Sequence, residues 1–262
     1  MLRTRIIPAL LLDRGALIKT RQFRGKRYVG DPSNTLRIFN ELEVDELVVL
    51  DITATPANAT PDWELLEDIA SECFMPLAYG GGLGTYDQAS RVFGIGFEKV
   101  VINSAAHTRP ELLTEIADVY GSQAVVASID VQRGLFGTER VVSHSARRVH
   151  GHDPVAWARE VERRGAGEIL LTSVDREGTW TGFDLGLVRR VADAVNIPVI
   201  AHGGAAGIAD IAAAVSEGHA SSVAVGSMVV FQKQHCGVLV NFPERADLVA
   251  ALAGHEKRLH GA

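Results

Sequence analysis

The sequence predicts a closed (β/α)8 TIM barrel built as two similar halves. Three observations support this fold. Short apolar runs alternate with amphipathic helical segments eight times within 262 residues. The runs are almost continuously apolar, which is typical of parallel strands buried on both faces. The second half of the chain also repeats the pattern of the first. We expect one domain covering residues 1–262.

The eight apolar runs mark the strands of the barrel. They begin near Arg5, Glu46, Met75, Lys99, Ala124, Glu168, Ile197 and Ser221. Amphipathic segments between them predict helices near Thr85–Gly94, Arg109–Tyr120, Asp153–Arg164 and Asp184–Val195. An open doubly wound sheet is the alternative. It is less favoured because its glycine fingerprint follows the first strand, whereas here glycines follow the third and seventh strands.

The two glycine-rich strand ends are the clearest repeat. Met75–Leu83 (MPLAYGGGL) and Ile197–Ala205 (IPVIAHGGA) each end a strand in glycines and then enter a helical pattern. Glycine lets the backbone approach a bound group, and the free amides at a helix start favour an anion. We therefore expect two phosphate clamps on one face. The first comprises Gly82, Asn103 and Ser104, and the second Gly204, Gly226 and Ser227.

Carboxylates follow several strands at the end where such barrels hold their active sites. Asp51, Asp130 and Asp175 are candidates for acid–base work, although aspartate also caps helices and turns. Two long connections, residues 12–31 and 134–151, lie at the same end. The first is strongly basic and the second contains a strand-like Arg140–Ser143. Both are expected to be lids or binding loops, or else solvated charged loops.

Charged residues also precede four of the strands, at the opposite end. They are Arg5, Glu46, Lys99 and Glu168. Two positive and two negative charges could form a ring of ion pairs at the barrel axis, which would suggest a gate. Ordinary solvated charges at strand starts are the alternative.

Composition limits the partners. The net charge of −6 argues against nucleic acid or an anionic membrane as the main partner, while a small phosphorylated ligand remains compatible. Cys73 and Cys236 are far apart and fit a reducing cytoplasm. The first residues lack the apolar stretch of a signal peptide. His144, His150 and His152 have no convincing ligand spacing, so we expect no metal and no cofactor.

With these residues in view, the chain closely resembles the cyclase subunit of imidazole glycerol phosphate synthase, the HisF family. The matching stretches include Asp45–Ala54, Lys99–Ala105, Ser128–Asp130, Gly165–Gly178 and His202–Ala205. The resemblance implies a TIM barrel that receives ammonia from a HisH-like glutaminase docked on its N-terminal face. At the C-terminal face such a barrel cleaves and cyclises a bisphosphorylated ribulosyl substrate in histidine biosynthesis.

The resemblance also assigns roles to individual residues. It implies that the charged ring is the ammonia gate and that the two glycine clamps hold the substrate phosphates. Lys19 matches a lysine on the family's mobile first loop. The active-site polar residues of the family correspond to Asp51, Asn103, Asp130 and Asp175.

One departure from the family concerns its acid–base pair of aspartates at the ends of strands one and five. Asp130 supplies the second, but Leu11 stands at the first position and cannot transfer a proton. Asp13, two residues further on, is a possible substitute. Ala9, Tyr79 and His202 also differ from the family pattern, and we expect these changes to cluster on the side where the chemistry takes place.

This combination resembles HisF-like paralogues that occur with glutaminase-like partners in bacterial surface-sugar biosynthesis, the making of lipopolysaccharide and O-antigen. The resemblance implies that such a pair supplies ammonia to a separate sugar amidotransferase that makes an acetamidino group. Two alternatives remain open. One is a true synthase subunit that uses Asp130 with Asp13. The other is a sugar-phosphate isomerase of the sister barrel, which ranks last because it needs the strand-one aspartate and has no use for the ring.

Overall fold

The computed structural model describes residues 4–134 and 136–259. The strands in this part of the chain are β1 (Ile6–Asp13), β2 (Ala16–Arg21), β3 (Arg24–Gly30), β4 (Leu47–Asp51), β5 (Leu77–Gly80), β6 (Lys99–Ile102), β7 (Val125–Arg133), β8 (Glu139–Ser143), β9 (Arg148–Val149), β10 (Glu168–Ser173), β11 (Val199–His202) and β12 (Ser222–Val225). The helices are α1 (Pro32–Glu41), α2 (Trp63–Glu72), α3 (Tyr86–Ile95), α4 (Ser104–Thr108), α5 (Glu111–Tyr120), α6 (Pro154–Arg163), α7 (Leu185–Ala192), α8 (Ile208–Ser216), α9 (Ser227–Val230) and α10 (Arg245–Leu259).

Eight of the described strands are parallel and close into a barrel. They follow one another around the axis in the order β1, β4, β5, β6, β7, β10, β11 and β12. The pairing of β12 with β1 completes the circle, with Val223 opposite Ile6. All eight predicted strands are present, and helices stand between them at the predicted places. The (β/α)8 fold expected from the sequence is confirmed.

Side chains alternate between the inside and the outside of the barrel because successive residues of a strand face opposite ways. The side chains that face the inside of the barrel are apolar and belong to Ile7, Ala9, Val48, Ala78, Val101, Val126, Leu170, Ile200 and Ala224. The outward set packs against the helices in a larger core that includes Leu36, Ile69 and Leu187. Three of these inward residues, Ala9, Ala78 and Ala224, have small side chains that leave space along the axis.

Aspartate or threonine caps fix the start of most of the longer helices. Asp31, Asp62, Thr85, Asp153 and Asp184 each accept a hydrogen bond from a backbone amide in the first helical turn. The chain therefore leaves each strand, turns at the C-terminal face and enters the next helix at a defined residue. Within the described residues, no helix is long and apolar enough to cross a membrane.

The two long connections are β-hairpins. Strands β2 and β3 pair antiparallel on the extended end of β1, and β8 and β9 continue from β7 in the same way. The strand expected at Arg140–Ser143 is confirmed, whereas the hairpin in residues 12–31 had no sequence signal. The basic run Arg24–Arg27 lacks apolar alternation, so β3 forms because β2 offers it a pairing edge and not because of its own composition.

Candidate active site

A cavity of about 430 Å³ opens at the C-terminal end of the barrel. Five of the predicted site residues line it: Asp51, Gly82, Asn103, Ser104 and Asp130. A much smaller cavity of about 10 Å³ lies beside it and contains Lys19, Gly204, Gly226 and Ser227. The structure therefore brings most of the candidates together at one end of the barrel, but divides them between two unequal spaces.

Asp130, on β7, is the buried carboxyl group of the large cavity. Its Oδ2 accepts a hydrogen bond from the Asn103 amide at 2.8 Å. Burial raises the pKa of Asp130 to about 7, and the hydrogen bonds only partly oppose that shift. A carboxyl group that exchanges its proton near neutral pH is suited to general acid–base work.

Leu11 lies on the wall of the same cavity and is almost completely buried. Its neighbour on the adjacent strand is Leu50, so this side of the cavity is apolar. Asp13 is two residues further along β1 and is not among the residues that line the cavity. Its Oδ2 pairs with the Lys26 ammonium at 2.9 Å. This geometry does not favour Asp13 as a replacement acid for the position of Leu11.

Asp51 and Asp175 have structural partners. Asp51 lines the cavity, but its Oδ1 accepts hydrogen bonds from the Thr53 amide and hydroxyl, both at 2.7 Å, and from the Ala54 amide at 3.0 Å. Asp175 lies outside the cavity lining, and its Oδ2 accepts from the Arg133 amide at 2.8 Å. Asp51 therefore fixes the turn that follows its own strand, β4, whereas Asp175, which follows β10, holds the end of the neighbouring strand β7.

The glycine strand ends pack closely against other parts of the protein. Gly82 has a φ of 68° and donates its amide to Thr55 Oγ1 at 3.1 Å. Gly204 has a φ of 109°, and a Cβ added there would lie 2.2 Å from the Gly182 carbonyl oxygen. Only glycine fits these positions without strain.

Lys19 forms a buried ion pair with a carboxylate that the sequence reading did not single out. Its Nζ lies 2.8 Å from Glu177 Oε1, and the two side chains are 4% and 1% exposed. Burial alone would raise the pKa of Glu177, but Lys19 holds it below its usual value through charge and hydrogen bonding. Glu177 is in the tight turn after β10, which points it inward while Asp175 points away. Sequence spacing favoured Asp175 because it is nearer the strand end.

His202 separates the two cavities and lines both of them. Its Nδ1 lies 3.1 Å from Thr172 Oγ1. Burial, followed by the nearby Lys19 charge, lowers the pKa of His202 to about 4, so the ring is neutral at physiological pH. Tyr79, by contrast, is not near the chemistry. It points outward and packs edge-on against Phe97 in the helix-facing core, so the expectation that it clusters there was wrong.

Arg148 and His144 were also missed as cavity residues. Both come from the β8–β9 hairpin, whose position could not be read from the sequence, and both line the large cavity. The Ser104 hydroxyl accepts a hydrogen bond from the His144 amide at 3.3 Å. His150 and His152 lie further out, where their rings stack with His107 and Trp157. The described residues contain no group of histidines, cysteines or carboxylates arranged to hold a metal.

The four charges at the opposite end form a closed ring. Arg5 contacts Glu46 at 2.5 Å and Glu168 at 2.8 Å, and Lys99 contacts the same two carboxylates at 2.8 and 3.0 Å. Burial alone would lower the pKa of Arg5, but Glu168 and Glu46 raise it above its usual value. Each cation bridges both anions, so the alternative of independent solvated charges does not describe this arrangement.

An apolar cavity of about 10 Å³ lies just inside the ring. Glu46 from the ring lines it, together with inward-facing residues of the barrel such as Ile7, Ala78 and Ala224. Val101 lines both this cavity and the large one above it. A space of this volume holds about one water-sized molecule. The ring, the apolar space and the large cavity therefore follow one another along the barrel axis.

Comparison with known proteins identifies the family of this chain. A family model described as "Histidine biosynthesis protein" matches residues 5–235. "Putative imidazole glycerol phosphate synthase subunit hisF2" of Pseudomonas aeruginosa is 47% identical over 244 residues, 93% of this chain and 97% of that protein. The chain belongs to the HisF family. "Imidazole glycerol phosphate synthase subunit HisF" of Myxococcus xanthus is 46% identical over 230 residues, 87% of this chain and 90% of that protein.

Another HisF relative, "Putative imidazole glycerol phosphate synthase subunit HisF" of Leptospira borgpetersenii, is 41% identical over 248 residues, covering 94% of this chain and 98% of that protein. The family resemblance expected from the sequence is thus confirmed. Within the HisF family this chain is a synthase-type subunit of the lyase and cyclase class.

Proposed function

We propose that this HisF-family barrel receives ammonia from a HisH-like glutaminase docked on its N-terminal face. The ammonia enters through the ring of Arg5, Glu46, Lys99 and Glu168 and moves along the apolar axis to the large cavity. The arrangement supports this route, because the ring residue Glu46 lines the apolar space and Val101 lines both that space and the large cavity.

We further propose that the cyclase activity of this barrel is lost or altered. The observation that carries this is the wall of the cavity, where Leu11 presents an apolar surface and Asp130 is the carboxyl group poised to exchange a proton. The resemblance to the cyclases implies that cyclisation needs an aspartate at the position of Leu11. Losing half of an acid–base pair costs on the order of 10² to 10⁴ in rate.

The ammonia would then leave for a separate sugar amidotransferase, which forms an acetamidino group on a bacterial surface sugar. This role rests on the resemblance in sequence pattern together with a passage that ends at a cavity lacking the acid–base pair. A cytoplasmic location suits both the donor and the acceptor enzymes.

The alternative is a working cyclase of histidine biosynthesis. A specific observation favours it, since Asp130 has a pKa of about 7 and Glu177 brings a second carboxylate to the cavity. However, Glu177 is held ionised by Lys19, so it has no proton to give.

A turnover assay separates these two functions. Purified protein is given ammonia and the bisphosphorylated ribulosyl substrate, and formation of imidazole glycerol phosphate is followed. We expect negligible turnover in the natural sequence and a partial gain in Leu11→Asp. Substantial turnover by the natural sequence at high ammonia would contradict the proposal.

Coupling through the ring is tested with the glutaminase partner. Arg5→Ala and Lys99→Ala should reduce transfer of glutamine-derived ammonia to an acceptor, while Arg37→Ala, which breaks an exposed ion pair with Glu72, should leave transfer unchanged. Equal transfer in all three variants would argue strongly against a gate.

A further inference from the structure

The second predicted phosphate clamp is filled by the protein itself. The Lys19 ammonium lies against Gly226, so that a Cβ added to Gly226 would be 2.5 Å from Nζ. Lys19 is paired with Glu177 at 2.8 Å. The other carboxylate oxygen of Glu177 accepts from the Thr20 hydroxyl at 3.1 Å and the Phe23 amide at 3.3 Å. The hairpin β2–β3 therefore supplies every one of these donors.

The space that remains at this end is too small for a phosphate group. The cavity among Lys19, Glu177, Gly204, Gly226 and Ser227 measures about 10 Å³, enough for about one water molecule. Enlarging it would require Lys19 to withdraw. That movement would leave the Glu177 carboxylate buried without a cation, which is strongly unfavourable.

The first clamp lies in the large cavity, and its charge differs from that of the second clamp. Gly82, Ser104 and Arg148 all line the cavity of about 430 Å³. Arg148 pairs across the β8–β9 hairpin with Ser143, whose neighbour His144 contacts Ser104. Among the described residues Arg148 has no carboxylate within ion-pair distance, so its charge is available to a ligand. At the other end the charge of Lys19 is already balanced by Glu177.

We propose that the ligand of this cavity carries one phosphate, held at the Ser104 and Arg148 end, and that the Lys19–Glu177 pair takes the place of a second phosphate. The inference rests on the proposed function in that it assumes a phosphorylated small molecule in the large cavity. It adds the substrate class, a sugar monophosphate in place of a bisphosphate. It also gives Glu177 a role in specificity, because its charge decides whether Lys19 is free to bind an anion.

Calorimetric titration with two sugar phosphates tests the inference. The probes are ribose 5-phosphate and ribulose 1,5-bisphosphate at physiological ionic strength, since phosphate binding is sensitive to salt. The natural sequence should bind both with affinities within about threefold of each other. Arg148→Ala should weaken both by about tenfold, a loss of about 1.4 kcal/mol.

Glu177→Gln provides the decisive variant. It preserves the shape of the side chain but removes its charge, so Lys19 becomes available to a second phosphate. In this variant the bisphosphate should bind about tenfold or more tightly than the monophosphate. The double variant Lys19→Met with Glu177→Gln serves as the control and should lose that gain.

The opposite results would overturn the inference. A natural protein that prefers the bisphosphate by tenfold or more has two working clamps, and one that binds neither probe has no sugar phosphate site of this kind. A Glu177→Gln variant without bisphosphate preference would exclude the role of the pair. A failure of the proposed ammonia route would be seen in a different experiment. That experiment measures ammonia transfer in the Arg5→Ala and Lys99→Ala variants and does not depend on either sugar phosphate.

Discussion

At the scale of single residues, Asp130 illustrates how burial changes the chemistry of one carboxyl group. The side chain is in a closed part of the cavity and its pKa is raised to about 7. Its position at a strand end could be read from the sequence, whereas its proton affinity could not, because that depends on how Asn103 and the surrounding walls enclose it. The same cavity has Leu11 on its wall, at the position where the resemblance to the cyclases implies a second acid.

The raised pKa predicts a pH-dependent stability. Because the folded pKa exceeds the unfolded value, the stabilising contribution is complete below about pH 4 and is lost as the pH rises through about 7. Asp130→Asn stays uncharged throughout. Relative to the natural sequence, it should therefore gain about 2 kcal/mol in unfolding free energy between pH 5 and pH 8, since each pKa unit corresponds to about 1.4 kcal/mol.

Urea unfolding of both proteins at the two pH values measures this difference. Glu177→Gln is a useful comparison, because Lys19 holds that carboxylate ionised and no similar gain is expected from it. A difference for Asp130→Asn that does not change between pH 5 and pH 8 would show that the carboxyl group titrates normally.

At the scale of secondary structure elements, the starts of four strands act together. Arg5 precedes β1, Glu46 precedes β4, and Lys99 and Glu168 begin β6 and β10. Barrel closure brings these strand starts around one axis and turns four separate charges into a ring. Sequence spacing identified the four residues, but only the closed barrel makes each cation touch both anions.

Removing one cation of the ring should therefore lower the unfolding free energy more than removing an ordinary exposed ion pair does. Lys99→Ala leaves Glu46, which is 5% exposed, with a single cation shared with Glu168. We expect a loss of about 3 kcal/mol in unfolding free energy, because a buried charge without its partner is strongly unfavourable. Chemical denaturation is the measurement. Arg37→Ala at the exposed Arg37–Glu72 pair should change stability little, and similar losses in both would contradict the ring's cooperative character.

The glycine strand ends lead to a second prediction at this scale, which concerns the stability effect of adding a methyl group. Gly204→Ala should lose at least about 2 kcal/mol of stability, because its φ of 109° and the Gly182 carbonyl oxygen leave no room for a methyl group. Gly94→Ala is the control: nothing lies within 4 Å of a Cβ in that exposed helical position. It should gain up to about 1 kcal/mol. Thermal unfolding compares them, and equal effects would refute the steric argument.

At the scale of the whole molecule, the sequence was sufficient for the barrel and its two halves. Eight apolar runs of strand length allow few other arrangements, and each run appeared as a strand at its expected place. The candidate site was only partly predictable. The hairpin β2–β3 carries Lys19 to the small cavity, and β8–β9 carries His144 and Arg148 to the large one. The positions of the two hairpins depend on pairing with β1 and β7.

Glu177 was missed for a related reason. Its inward direction comes from a turn after β10 whose shape depends on hydrogen bonds from the β2–β3 hairpin, more than 150 residues away in sequence. Such contacts leave no local pattern. Distances along the chain therefore identified the strands and the ring, but not which of two nearby acids would face the cavity.

Two exposed phenylalanines distinguish the faces of the barrel. Phe74 precedes β5 at the N-terminal face and is 89% exposed, whereas Phe136 follows β7 at the C-terminal face and is 97% exposed. If the glutaminase docks at the ring, Phe74→Asp should weaken the complex by about tenfold, because exposed aromatic side chains are frequent anchors of interfaces. Phe136→Asp is the matched control and should bind normally. Calorimetry with the partner measures both affinities, and a reversed order would place the partner at the other face.

The narrow apolar space above the ring has a consequence for selectivity. An ion that entered it would lose its hydration shell among hydrocarbon side chains. If ammonia takes the proposed route, the passage would therefore exclude ammonium and admit only uncharged molecules. Water is uncharged as well and almost the same size as ammonia, so the barrel would select by charge and would not separate these two molecules. On that proposal, keeping ammonia undiluted would depend on how well the partner seals the entrance, and leakage would be a property of the assembled pair.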